Sequence, residues 1–163
     1  APFGDNDFSC YLCIVMKNET FYVGLLEGHD VKPTSSRLLI LRQLIRGDEA
    51  LSMGDIEKTL PTVDKSTISR TLSLFLLHRL VHVIDDGSGS LKYAISTESD
   101  DEAPDDEHTH FFCQVCHRTF CLKQIHVPLV ELPTGFTLNS INYVLKGLCP
   151  ACSEKANNLT RPT

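Results

Sequence analysis

Residues 66–95 read STISRTLSLFLLHRLVHVIDDGSGSLKYAI. In the first half, Ile68, Leu72, Phe75, Leu76 and Leu80 recur at helical spacing and form one apolar stripe. The pattern then changes. Two β-rich runs flank Asp86-Gly87-Ser88-Gly89, which is hairpin-turn chemistry. Upstream, Thr34 or Ser35 can cap a helix carrying Leu38, Leu39, Leu41, Leu44 and Ile45 and ending at Gly47. Ser52 can cap a short second helix through Ile56 and Leu60, which Pro61 stops, and Asp64 or Ser66 opens the third. Three helices followed by a β-hairpin is the order of a winged helix-turn-helix.

The third helix begins with Lys65, Ser66, Thr67, Ser69 and Arg70, all small, polar or basic, while its stripe faces elsewhere. A helix entering the major groove needs such a face, because hydroxyls and guanidinium groups bond phosphates and base edges. An ordinary solvated helix face would show the same residues. Lys92 on the expected wing, with Lys32 and Arg37, is placed to reach flanking phosphates of a double-stranded DNA operator. There is no strongly basic stripe, so tight binding calls for a dimer.

The net charge of −6 argues against nucleic acid, but its distribution matters more. Residues 1–96 carry −2, residues 97–107 (TESDDEAPDDE) carry −7, and residues 108–163 carry +3. The acidic run has almost no apolar residue and reads as a hinge or linker. The expected organisation is an N-terminal extension at 1–15, a DNA-binding domain at 16–96, the linker at 97–107, and a second domain at 108–163. Met16-Lys17-Asn18 resembles a translation start. Residues 8–15 (FSCYLCIV) are mildly apolar but lack a basic region before them, so no signal peptide is read and a cytoplasmic location is expected. The apolar runs are far too short for a membrane span.

Seven cysteines are many for 163 residues. Cys113-x-x-Cys116 and Cys149-x-x-Cys152 are two thiolate pairs whose turns can complete one tetrahedral sulfur site. Zinc suits four thiolates with no open position. A rubredoxin-type iron centre, a disulfide pair or a redox-active CxxC uses the same residues. Arg118 or Lys146 is expected to offset the negative charge. RTFCL, GFTLNS and YVLKGL read as strands around this site. His108, His110 and Cys121 remain. On an extended strand, His-x-His points both rings to one face. With Cys121 returning beside them they form an exchangeable zinc site, or else the histidines are exposed and Cys121 is a small buried hydrophobe.

Taken together, KPTSSRLLILRQL, STISRTLSLFLLHRLVHVI, HTHFFCQVC and GLCPAC resemble the ferric uptake regulator family of bacterial metal-responsive repressors over roughly residues 32–152. The resemblance implies an α+β chain: an N-terminal winged helix and a C-terminal α/β dimerisation domain with a four-cysteine zinc site, acting as a homodimer and not as an enzyme. It implies structural Zn2+ at Cys113, Cys116, Cys149 and Cys152, and a regulatory divalent metal near the hinge at His108 and His110. Cys121 stands where iron- and peroxide-sensing members carry Asp or Glu. Sulfur there favours Zn2+ over Fe2+ or Mn2+. Ser69 replaces a recognition-helix Tyr. Ala50 and Ala94 stand where relatives supply ligands from the first domain, so fewer ligands are expected to bridge the two domains. Glu107, Glu49 or His126 are the substitutes, and metal binding would act by ordering the linker. Ile141 removes a further site. The alternatives are an iron- or peroxide-responsive repressor, a DNA-binding protein with structural zinc only, and a zinc-ribbon thiol oxidoreductase, for which Cys10-x-x-Cys13 is the nearest motif.

Overall fold

The structure is a computed structural model and describes residues 19–47, 49–96, 108–126, 130–138 and 141–159. The expectations placed on 1–15, on the linker at 97–107 with Glu107, and on Cys10 and Cys13 lie outside these residues, as does the side chain of His126.

The chain is α+β. Helices α1 (Glu19–Gly28) and α2 (Ser35–Ile45) precede strand β1 (Glu49–Ser52), helix α3 (Met53–Thr59) and helix α4 (Lys65–Leu77). Strands β2 (Val81–Ile84) and β3 (Lys92–Ile95) form the hairpin. Strands β4 (His108–Cys113), β5 (Thr119–His126) and β6 (Val144–Gly147) and helix α5 (Pro150–Leu159) follow. The three expected caps are present. Thr34 accepts from Arg37 N, Ser52 makes a reciprocal capping box with Asp55, and Asp64 accepts from Thr67 N. The expected stripes meet in one core. Leu41, Leu44, Ile56, Leu60, Ile68, Leu72, Phe75 and Leu80 are buried together, joined by Tyr22 and Leu26 of α1 and by Ile40, which the expected stripe lacked; Leu38, Leu39, Ile45 and Leu76 are partly buried against them.

Helix α1, strand β1 and helix α5 were not read from the sequence. One expected strand is absent: Gly135–Leu138 of GFTLNS is non-strand, with Gly135 at φ 94. Pro133-Thr134-Gly135 makes a turn there, closed by Phe136 N donating to Pro133 O.

The strands form one sheet in the order β2-β3-β1-β5-β4-β6, antiparallel except for β4–β6. Strand β1 is the joint. It pairs with β3 through Leu51 and Ser52, and with β5 through Glu49 and Ala50. The halves on either side of the acidic run therefore share backbone hydrogen bonds. In a flat sheet, β2 and β4, four strands apart, would be separated by about 19 Å. The sheet instead curls, and Ala50, Ile84 and Ala94 meet Cys121 and Val144 on its inner side. Small side chains at Ala50 and Ala94 let the two faces close. No helix among the described residues is long and apolar enough to cross a membrane.

Candidate metal centres

The first centre is assembled from two turns. Strand β4 ends at Cys113 and turns through Cys116, and the segment after β6 delivers Cys149 and Cys152 at the start of α5. The four sulfurs lie within 4.8 Å of one another, and Cys116 Sγ is 3.8 Å from Cys149 Sγ. His117, at φ 58, takes the left-handed turn that leads from Cys116 into β5. Backbone N–H groups of Cys116 and Cys149 lower the Cys113 thiol to about 5, and the guanidinium of Arg118 lowers Cys116. Arg118 Nε donates to Cys116 Sγ at 3.5 Å and lies 3.6 Å from Glu49 Oε2. Of the two expected cations, Arg118 reaches the sulfurs, while Lys146 sits over the Phe112 ring.

The second centre joins His108, His110 and Cys121, as the sequence suggested, and adds His82, which it did not. His110 and Cys121 are direct cross-strand partners on β4 and β5. His82 comes from β2, in the first half. Its neighbour on the same face, Ile84, belongs to the small cluster with Ala50 and Ala94 against which Cys121 packs. His82 Nε2 is 3.3 Å from His110 Nε2 and 3.7 Å from Cys121 Sγ. The His108 ring is 4.9 Å from that of His82 and 4.6 Å from that of His110, centre to centre. The first half, expected to be short of donors at Ala50 and Ala94, brings His82 to the group. Ala50 and Ala94 are spacers, and Glu49 pairs with Arg118 instead of standing in as a ligand. VHVI carried no local signal for His82: three of its four residues are buried, and only the curl of the sheet brings the imidazole to its neighbours.

The His82–His110, His82–Cys121 and Cys116–Cys149 spacings are those of ligands on a tetrahedral ion. With metal–nitrogen bonds of about 2.05 Å and metal–sulfur bonds of about 2.3 Å, the tetrahedron's edges are about 3.4 Å for N···N, about 3.6 Å for N···S and about 3.8 Å for S···S. The observed 3.3, 3.7 and 3.8 Å match them. Burial lowers His82 to about 3 and His110 to about 4, each helped by repulsion from the neighbouring imidazoles. Both rings are neutral near pH 7, the form that binds a metal. His82 Nδ1 and His110 Nδ1 are buried with no hydrogen-bond partner among the described residues. Such burial costs stability.

At the start of α4, Lys65, Ser66, Ser69 and Arg70 are exposed and Thr67 is half-buried. The hydroxyls of Ser66 and Thr67 each donate to the Asp64 carboxylate at 2.6 Å, and Arg70 Nη2 donates to Ser66 Oγ at 3.4 Å. A cleft beside this face is lined by Thr34, Ser36, Arg37, Thr67, Arg70 and Thr71. Lys92 does not belong to this surface. It is 6% exposed, and its ammonium lies 2.8 Å from Asp86 Oδ2, so the expected phosphate contact is corrected. Strand β3 turns this side chain inward because Lys92 and Ala94 share its buried face.

No family model matches the chain, and no curated protein is similar to it in sequence. Solved structures match its fold. A zinc uptake regulator complexed with zinc and DNA superposes with a TM-score of 0.59, at 21% identity, over 86% of this chain and 99% of that one. A zinc-bound manganese uptake regulator gives 0.54 at 17% identity, over 78% and 98%. The ferric uptake regulator of Vibrio cholerae gives 0.53 at 18% identity, over 78% and 98%. This chain therefore has the fold shared by these ferric, zinc and manganese uptake regulators.

Proposed function

We propose that the chain is a homodimeric, metal-responsive DNA-binding repressor of the ferric uptake regulator family, with Zn2+ as the sensed ion and a second, structural Zn2+ at the four cysteines. The observation that carries this reading is His82. It brings a ligand from the first half to three from the second, so occupancy and the arrangement of the halves are coupled. An ion held there supplies a coordination tie between β2 and the β4–β5 pair. Three imidazoles and a thiolate suit zinc better than iron or manganese, which favour oxygen donors more.

Helices α2 to α4 with the β2–β3 hairpin act as the winged helix, and α4 enters the major groove. Ser69 and Arg70 face the bases, Lys65 contacts phosphate, and Asp64 fixes Ser66 and Thr67 at the helix start. The second half exposes Val130, Phe136, Leu138, Leu145 and Leu148, and a second copy of the chain covers them. The zinc uptake regulator of the same fold was solved with zinc and DNA, which supports this pairing of ligands.

The test is metal counting in parallel with DNA affinity, for wild type and for His110→Ala with Cys121→Ser, with zinc, iron and manganese added in turn. One ion per donor group is expected, the His/Cys ion leaving under mild chelation and DNA affinity leaving with it. The double variant keeps the sulfur-bound ion alone. A single inert ion in wild type, with metal-independent DNA binding, would instead favour a DNA-binding protein with structural zinc only.

A further inference from the structure

We propose that Asp86 and Lys92 are a positioning pair. Their charge pair on the hairpin grips Thr119 and the carbonyl of His117 in the second half, and so holds His82 in register with its partner ligands before any ion binds. This rests on the proposed regulatory role of the His82 group.

Both charges belong to the first half, in the β2–β3 turn and at the start of β3. Asp86 is 1% exposed and Lys92 6%. Lys92 Nζ is 2.8 Å from Asp86 Oδ2, and it donates to His117 O at 2.8 Å and to Thr119 Oγ1 at 3.0 Å. Three contacts use all three ammonium protons. Thr119 in turn donates its hydroxyl proton to Asp86 Oδ2. The Asp86 Oδ1 atom accepts from Ser88 N and shapes the turn. Lys92 Nζ also lies 5.2 Å from the centre of the Phe112 ring.

The grip is next to the site it would position. Asp86 is four residues beyond His82, and Thr119 is two residues before Cys121. Thr119 pairs with Ala50 across the β1–β5 joint, so the charge pair backs the only direct strand pairing between the halves among the described residues. Asn142 Nδ2 donating to Asp85 O at 2.7 Å adds a second tie from the same turn. Gly87, at φ 76, sits so close to Lys146 that an added Cβ would lie 2.9 Å from Nζ.

The consequence is quantitative. A ligand's apparent affinity falls by the fraction of protein in the competent arrangement. A grip that keeps the halves closed raises metal affinity and lowers the fold-change that metal produces in DNA affinity. Loosening it does the reverse, with no ligand atom altered.

Two variants separate this from simple stability. Thr119→Val keeps the shape and the Asp86–Lys92 pair but cuts both bonds of the Thr119 hydroxyl across the joint, leaving Lys92 bonded to His117 O. Asp86→Asn with Lys92→Met removes the charges while keeping the turn, a neutral exchange that buried pairs often tolerate. Hydrogen exchange is measured on the full chain with the sulfur-bound ion retained and the other removed. Peptides covering 49–52 and 119–122 are expected to exchange about tenfold faster or more in both variants, while the α2–α4 core is unchanged. Zinc affinity at the His/Cys group is expected to fall by a similar factor, with the sulfur-bound ion retained. Wild-type exchange at the joint in both variants overturns the proposal. So does faster exchange with unchanged zinc affinity. If no ion binds the His/Cys group at all, the regulatory reading fails, and the exchange data still decide whether the grip exists.

Discussion

The two donor groups of this chain differ in what they join. The sulfur group draws its ligands from two turns of one half and fastens the ends of that half together. The His82 group draws one ligand from the hairpin and three from β4 and β5, across a joint of a few backbone pairs. The first ties together parts that lie on the same side of the joint. The second bridges parts whose strands meet only at Glu49–Phe120 and Ala50–Thr119 among the described residues. A metal site becomes a switch when its ligands lie on parts that can separate, and a rivet when they do not.

The strongest way to break this contrast is to remove a sulfur ligand. Cys149→Ser should lose the structural ion and unfold the second half, because structural zinc binding is worth on the order of 10 kcal/mol in small domains. Metal content and near-ultraviolet circular dichroism report it. A folded, metal-depleted second half would show that this group is no rivet. His82→Ala is the complement. It should weaken zinc at the other group by about a hundredfold while the sulfur-bound ion stays, and DNA affinity should lose its response to zinc. Competition with a chromogenic chelator measures both ions. Unchanged affinity would mean that the hairpin histidine is only packed beside the site.

The same contrast explains what the sequence revealed. The CxxC pairs were legible because a short turn fixes two sulfurs together whatever the rest of the chain does. Thr34, Ser52 and Asp64 were legible as caps because capping is a local bond. His110 with Cys121 was half legible, since neighbouring strands with a short connection tend to pair. His82 was hidden because its partners lie on strands that reach it only through the curl of the whole sheet, and curl has no local signature. Lys92 misled for the opposite reason. A lysine on a hairpin is exposed far more often than buried. Only the presence of Asp86 and Thr119 in space, not in sequence, turns it inward.

A smaller effect concerns acid. Burial pushes the Asp86 carboxyl up, but hydrogen bonds from Lys92, Ser88 and Thr119 outweigh it and hold it well below the ordinary carboxylate range. A carboxyl lowered by folding contributes stability above the unfolded value near pH 4, and that contribution is lost as pH falls through the folded value. Urea unfolding between pH 5 and pH 3 should therefore show wild type losing about 1 kcal/mol or more beyond what Asp86→Asn with Lys92→Met loses. Other carboxylates are common to both chains and cancel. Parallel curves would mean that the pair contributes nothing that titrates.

The smallest effect sharpens the boundary between rivet and switch. Arg118 touches the sulfur group and the joint: its Nε donates to Cys116 and lies near Glu49 of β1. The Glu49 pair is half open to water, so Arg118→Ala should cost less than about 1 kcal/mol in global stability. The effect on Cys116 is of another kind. Without the guanidinium its thiol rises toward its ordinary value, and the sulfur-bound ion should leave faster under a strong chelator as pH falls from 8 to 6. Release followed by thiol titration reads this directly. Because the cation contacts a sulfur ligand and not the His82 group, zinc affinity at the latter should stay within about twofold of wild type. A parallel loss at both groups would show that charge at the sulfur centre is felt through β1 at the hairpin, and the two centres would then have to be treated as one coupled device.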